Sequence, residues 1–193
     1  MDLFTFASSF CLAIGLSAAC GFRVFIPPLT YGIFYKANLV ELSDSWIWIG
    51  NDWVILLFAL ATIIEILATF IPFIDNTLDI ISTPVSMIAG TVLASSSLSN
   101  LDPGLQWLLS IICGIGVTGS FQFSTVTLRG MLSVFTGGIL NPFFSLLEDI
   151  IAFLIAIATI LIPIFGLIII IIIALIIYVL IKKLRGRKRK NNK

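Results

Sequence analysis

Long apolar stretches separated by short polar connections run through nearly the whole chain. A membrane-spanning helix needs about 20 consecutive, predominantly apolar residues. Stretches of about that length fall at residues 4–20, 22–40, 52–72, 77–99, 104–122, 143–162 and 164–181. The pattern predicts an all-α fold, a polytopic transmembrane helical bundle with seven spans. The alternative is six spans, in which a break between Gly21 and Pro28 joins the first two segments into one broken helix.

Residues 124–141 do not continue this pattern, because Gly130, Gly137, Gly138 and Asn141 interrupt them. We expect this segment to be interfacial or re-entrant. Two further positions resemble helix starts, since Thr83-Pro84 and Asn141-Pro142 each place a capping side chain before a proline. Helix N-termini inside discontinuous-helix transporters face the substrate. These two starts either lie on such a path or simply mark the membrane interface.

Composition excludes a soluble domain. The chain is 59% hydrophobic and 11% charged, with a mean hydropathy of +1.15, whereas soluble domains are about 45–50% apolar and about 25% charged. We expect one transmembrane domain over residues 1–181, followed by a basic tail over residues 182–193. Eight of the eleven Lys and Arg residues lie in that tail, so the rest of the chain has three basic residues against ten acidic ones.

This asymmetry predicts the orientation. Basic residues directly after an apolar span lie in the cytoplasm, so we expect a multi-pass protein of the inner (plasma) membrane with a cytoplasmic C-terminus. The tail is expected to contact anionic lipids of the bilayer and not nucleic acid. The acidic connections at residues 41–53 and 99–104 are flanked by tryptophan, which prefers the membrane boundary. Both are therefore predicted to lie outside.

Charged residues near or within the apolar segments are the main candidates for function, because each costs about 2.5–3.5 kcal/mol on insertion scales. Five are acidic and two are basic. They are Glu65, Asp75, Asp79, Glu148 and Asp149, with Arg23 and Arg129. Glu65 is predicted to lie deep within its span. Either the arginines neutralise carboxylates and fix the helices, or the carboxylates form a path for a cation or proton. Two arginines cannot neutralise five carboxylates.

Small residues recur at every fourth position in three segments, which places them on one helix face. The three rows are Ser9-Ala13-Ser17-Gly21, Ser82-Ser86-Gly90-Ala94 and Ser110-Gly114-Thr118. Such faces let membrane helices approach closely, so we expect packing contacts, with a pore lining as the alternative.

Recognisable catalytic motifs are missing from the sequence. It has no H-E-x-x-H, nucleophile elbow or P-loop and contains no histidine, and its three cysteines show no metal-ligand spacing. The motif Gly114-x-Gly116-x-x-Gly119 lies inside a span and not after a soluble strand. We therefore expect no enzyme, cofactor or metal site.

Several segments together resemble an uncharacterised bacterial integral membrane family, domain of unknown function 4126. They are Gly15 to Arg23, Glu65 with Ile71 to Asp79, Thr83-Pro84 before Ala89-Gly90, and Gly137 to Asp149. The resemblance covers nearly all the chain except the basic tail and implies the same helical membrane fold. It maps shared polar positions onto Arg23, Glu65, Asp75, Asp79, Asn141, Glu148 and Asp149. Thr69 departs from the family, which is acidic there.

The function expected from these features is that of a small membrane transporter or channel for a cation or a proton-coupled solute. Its path would include Arg23, Glu65, Asp75, Asp79, Thr83, Arg129, Asn141, Glu148 and Asp149. One alternative is a protein that handles membrane lipid or an isoprenoid carrier at Arg23 and Arg129. Another is a structural or assembly protein. A chain this small often needs copies of itself to enclose a path, so the expectation extends to a homo-oligomer.

Overall fold

The computed structural model describes the backbone of residues 2–70, 72–137 and 139–191, and the side chains of residues 2–70, 80–137 and 139–183. Within these ranges the chain is helical throughout, with short connections. The α-helices are α1 (Leu3–Phe22), α2 (Ile26–Lys36), α3 (Asp52–Ala68), α4 (Pro72–Ser97), α5 (Pro103–Ile111), α6 (Gly119–Thr136), α7 (Asn141–Leu161) and α8 (Pro163–Asn191). A 3-10 helix (Asp44–Gly50) precedes α3, and a π-helix (Ile112–Thr118) joins α5 to α6.

Among the described residues, five helical stretches are long and apolar enough to cross a membrane, and a sixth is obtained if the 3-10 helix and α3, bent by 53°, count as one span. The predicted all-α polytopic bundle is confirmed, and the protein is a multi-pass membrane protein. The seven-span count is wrong. Its second segment, 22–40, contains only the 11 residues of α2, which extend about 16 Å against a hydrocarbon core of about 30 Å.

The segment 124–141 also differs from its prediction. It is not a separate re-entrant element, because helix continues without interruption from Pro103 to Thr136. Gly130 lies inside α6, where one glycine costs only about 1 kcal/mol, and Phe121 and Leu128 of the same helix are buried in the main core cluster. The helix ends instead at Thr136. The next residue, Gly137, has a φ of +63°, the left-handed conformation that favours glycine at a helix C-terminus.

Helix α1 lies at the centre of the bundle, where the small-residue rows meet. The Ser17 hydroxyl donates to the Gly90 carbonyl of α4 at 3.1 Å, and the Thr118 hydroxyl donates to the Ser17 carbonyl at 2.7 Å. A Cβ on Gly21 would lie 2.6 Å from the Cβ of Phe121. One on Gly90 would collide with the Thr118 hydroxyl. These contacts confirm the packing interpretation of the rows.

Candidate functional site

The chain breaks between α1 and α2, inside the bundle. Helix α1 ends at Phe22, and Arg23 is extended, with φ −146° and ψ 134°. Helix α2 begins at Ile26 and has Pro27 and Pro28 in its first turn. Proline is favoured there because first-turn N–H groups have no partner within the helix. The break therefore leaves the backbone N–H groups of Val24 and Phe25 in need of an acceptor.

Glu65 of α3 supplies that acceptor. Its two carboxylate oxygens accept hydrogen bonds from the N–H of Val24 at 3.1 Å and from the N–H of Phe25 at 3.4 Å. A carboxylate at this place also interacts favourably with the positive end of the α2 dipole. Glu65 is not deep in a span as predicted, since α3 ends at Ala68. It lies in the last turn of α3 and is 6% exposed.

Arg23 lies in the break and connects it to α7. Its Nε is 2.6 Å from Oδ1 of Asp149, and its Nη2 is 4.0 Å from Oε2 of Glu148. The same Nη2 donates to the backbone carbonyl of Ser145 at 3.0 Å. Arg23 is only 5% exposed. Its buried guanidinium charge is therefore stabilised by two carboxylates and one carbonyl, all of α7.

Arg129 of α6 also pairs with Glu148. Its Nη2 lies 2.5 Å from Oε2 of Glu148. Glu148 and Asp149 are adjacent, so their side chains leave α7 in directions about 100° apart. Glu148 can therefore contact both arginines while Asp149 contacts Arg23. The two ion pairs connect α6 and the α1–α2 break to α7.

Five charged side chains meet at this place. We call Arg23, Glu65, Arg129, Glu148 and Asp149 the charge cluster, and every member is buried. The cluster contains three carboxylates and two guanidinium groups. Taking ions out of water costs several kcal/mol each even after relaxation, so each buried carboxylate needs a guanidinium group, backbone N–H groups or a proton to offset its charge.

Five of the nine residues predicted for the path thus come together. Asp75 and Asp79 lie outside the residues whose side chains are described. Thr83-Pro84 is not a helix start, since Pro84 lies inside α4. The Ser86 hydroxyl donates to the Thr83 carbonyl at 2.8 Å, and such hydroxyl contacts allow proline within membrane helices.

Asn141 begins α7 as predicted, with Pro142 in the first turn, but its side chain does not cap that helix. The N-cap residue is Leu140. The Asn141 Nδ2 donates instead to the Ser133 hydroxyl of α6 at 2.7 Å. This hydrogen bond of Asn141 therefore connects α6 to α7, one helical turn before Ser145.

Sequence reasoning missed the partners that are backbone groups, namely the N–H groups of Val24 and Phe25 and the carbonyl of Ser145. No residue type signals the Ser145 carbonyl, because every residue has a backbone oxygen. At Thr69, where the sequence resemblance implies an acidic residue, the hydroxyl donates to the Ile66 carbonyl at 2.7 Å. Across the described residues, no three Cys, Asp or Glu side chains are grouped so as to hold a metal ion.

The comparisons with known proteins agree with the sequence resemblance. Neither a curated protein nor a solved structure matches the chain. A family model does match, over residues 10–183, and its description is "Domain of unknown function (DUF4126)". The matched residues contain every member of the charge cluster and the α1–α2 break. The chain therefore belongs to the DUF4126 family.

Proposed function

We propose that this protein is a small proton-coupled membrane transporter and not an enzyme, with the α1–α2 break and the charge cluster as its coupling centre. One observation carries the proposal. The Glu65 carboxylate accepts hydrogen bonds from N–H groups that the helix break leaves without an acceptor in the helix, within a buried cluster of carboxylates and guanidinium groups. Broken helices of this kind form the substrate and ion sites of many secondary transporters.

The burial of the cluster favours a proton as the coupling ion. A proton neutralises a buried carboxylate without needing space or a set of ligands. A metal cation would instead approach two buried guanidinium groups, Arg23 and Arg129, which repel it. Glu65 is the carboxylate to which the proton is assigned, because its described hydrogen-bond partners are backbone N–H groups, whereas Asp149 and Glu148 contact arginine.

Protonation of Glu65 would also change the fold locally. A neutral carboxylic acid accepts hydrogen bonds less strongly than a carboxylate, since charge-assisted bonds are about twice as strong as neutral ones. The contact between α3 and the N-terminus of α2 would weaken, and the two N–H groups would become available to a solute. In this mechanism the Glu65 carboxylate and the solute compete for the same end of α2, so protonation of Glu65 favours solute binding and couples the two movements.

The orientation in the membrane is part of the proposal. We place the basic tail in the cytoplasm of the inner membrane, in contact with anionic lipids, as the positive-inside rule predicts. The charge cluster would then lie in the cytoplasmic half, since α7 and α8 follow each other across a tight turn at Ile162 and pack together, which places Glu148 and Asp149 near the start of α7 on the side of the tail. Association of several copies remains part of the same expectation.

A structural role is the second candidate, and the contacts Arg129–Glu148 and Arg23–Asp149 favour it. In that case the cluster only fixes α6, α7 and the break. A lipid headgroup at Arg23 or Arg129 is less favoured, because an anionic headgroup would have to displace carboxylates that already contact both guanidinium groups.

The test is flux in proteoliposomes that contain a trapped pH-sensitive dye. An inward proton gradient is applied, and amino acids, monocarboxylates, inorganic phosphate and Na⁺ are added in turn as probes. We expect at least one probe to give protein-dependent acidification. Glu65→Gln, which keeps the shape but cannot bind the proton, should reduce it to the level of vesicles without protein.

The matched control is Asp2→Asn, which likewise turns a carboxylate into an amide, at an exposed residue whose side chain makes no capping hydrogen bond. It should leave the flux unchanged. The proposal is wrong if no probe gives protein-dependent acidification, or if Glu65→Gln transports as well as Asp2→Asn. Loss of folding in Glu65→Gln, with no flux by the parent protein, would instead support the structural role.

A further inference from the structure

An apolar cavity of about 180 Å³ lies beside the break, between α2, α3, α4 and the 3-10 helix. Its wall is entirely apolar, and it reaches from Val24 and Phe25 at the break to Trp48 and Ile49 of the 3-10 helix. This site is separate from the charge cluster and plays no part in the proposed transport. Dry apolar cavities of roughly 150 Å³ bind molecules the size of benzene, so the volume fits a short length of hydrocarbon chain.

The cavity opens toward the lipid. Two residues of its wall are well exposed, Ile88 at 64% and Trp48 at 42%, whereas Ile49 and Leu93 in the interior are buried. Because Ile88 lies in a membrane-spanning stretch of α4, the mouth faces the hydrocarbon of the bilayer. The medium at the mouth therefore consists of acyl chains.

Two acidic residues precede Trp48 in the same connection. The 3-10 helix that contributes Trp48 begins at Asp44, four residues earlier, and Glu41 is exposed just before that helix. We call this acidic stretch the rim. Lys36 does not offset these charges, because its Nζ lies 2.6 Å from Oδ1 of Asp52. The rim therefore has a net negative charge, which attracts an ammonium group and repels an anionic headgroup.

We infer that this cavity binds the end of one acyl chain of a phospholipid with an ammonium headgroup, such as phosphatidylethanolamine, with the headgroup at the acidic rim. The apolar wall accounts for the chain, and the acidic residues account for the headgroup. The bound lipid fills the space between α3 and α4 next to the break.

Photo-crosslinking tests this inference on the full chain in vesicles. The probe is phosphatidylethanolamine with a diazirine at the end of one acyl chain, and the labelled peptides are mapped by mass spectrometry. We expect labelling concentrated on residues 85–93. Ala89→Phe places a ring in the cavity and should reduce that labelling by about tenfold, equivalent to the loss of about 1.4 kcal/mol of binding.

The control variant is Ala7→Phe, the same substitution at an exposed position outside the cavity wall, and it should not change the labelling. If Ala89→Phe does not fold, Val92→Phe blocks the same cavity from another residue of the wall. Equal labelling of residues 85–93 in the blocked and parent proteins overturns the inference. So does equal labelling by phosphatidylglycerol bearing the same chain, or labelling spread evenly over the exposed faces of α3 and α8.

Discussion

Replacing Arg23 with glutamine should destabilise the protein strongly. The substitution keeps a polar side chain of moderate length but removes the charge that faces Asp149 and Glu148. Asp149 is 8% exposed and Glu148 is 1% exposed. Water therefore cannot take the place of the guanidinium group at either carboxylate.

The size of the effect follows from this burial. Removing one partner of a buried ion pair costs about 3–5 kcal/mol, because the other charge stays in a medium of low polarity. The loss of the Arg23 hydrogen bond to the Ser145 carbonyl is included in that figure, since contacts of one side chain are not additive. We expect the free energy of unfolding of Arg23→Gln to fall by about 3–5 kcal/mol.

Equilibrium unfolding of the purified protein in mixed detergent micelles, followed by circular dichroism, measures this change. The control is Lys36→Gln, since the Lys36–Asp52 pair has the same chemistry but is 46% and 86% exposed. Exposed pairs contribute about 0.2–1 kcal/mol. If Arg23→Gln lowers the free energy of unfolding no more than Lys36→Gln does, burial does not make the Arg23 ion pair costly to break.

A double variant isolates the interaction itself. Asp149→Asn in the Arg23→Gln background removes the carboxylate that was left without its arginine, and part of the stability should return. The two substitutions should therefore be non-additive by about 0.5–3 kcal/mol, the range for residues in direct contact. Strict additivity would mean that the 2.6 Å contact contributes nothing.

The remaining predictions concern helix packing and orientation. Gly90→Leu should lower the free energy of unfolding in detergent by about 1–3 kcal/mol, because its Cβ would collide with Thr118. Gly116→Leu should be tolerated, because no atom of another element lies within 4 Å of a Cβ there. Equal effects of the two substitutions would contradict the packing of α4 against the π-helix. Cysteines introduced at Ser43 and Asn191, in a variant without native cysteines, should react with impermeant reagents from opposite sides of the membrane. Labelling of both from one side would refute the orientation.

The sequence was sufficient to predict the fold class and the members of the charge cluster. Hydropathy identified the helices, and the cost of charge in a membrane identified Arg23, Glu65, Arg129, Glu148 and Asp149 as the residues to follow. Hydropathy could not give the length of α2. An apolar segment of 19 residues can be one span or a short helix with a loop, and only the packing of Tyr31 and Ile49 in a shared core cluster distinguishes them.

The geometry of the site depended on contacts that are distant in sequence. Glu65 binds backbone N–H groups 40 and 41 residues away, and backbone donors leave no trace in residue type. Pro84 predicted a helix start by its local pattern, yet it lies inside α4. At that position the packing of α4 along its length outweighs the preference of Thr83-Pro84 for a helix start.

Infrared difference spectroscopy of the protein in lipid observes the Glu65 carboxylic acid itself, on which the proposed coupling depends. We expect titration from alkaline to acidic pH to produce a protonated carboxyl band that shifts in D₂O. That band should be absent from Glu65→Gln and present in Asp2→Asn after subtraction of the exposed carboxylates. A band of unchanged intensity in Glu65→Gln would show that Glu65 does not bind the proton, and would contradict the proposed coupling centre.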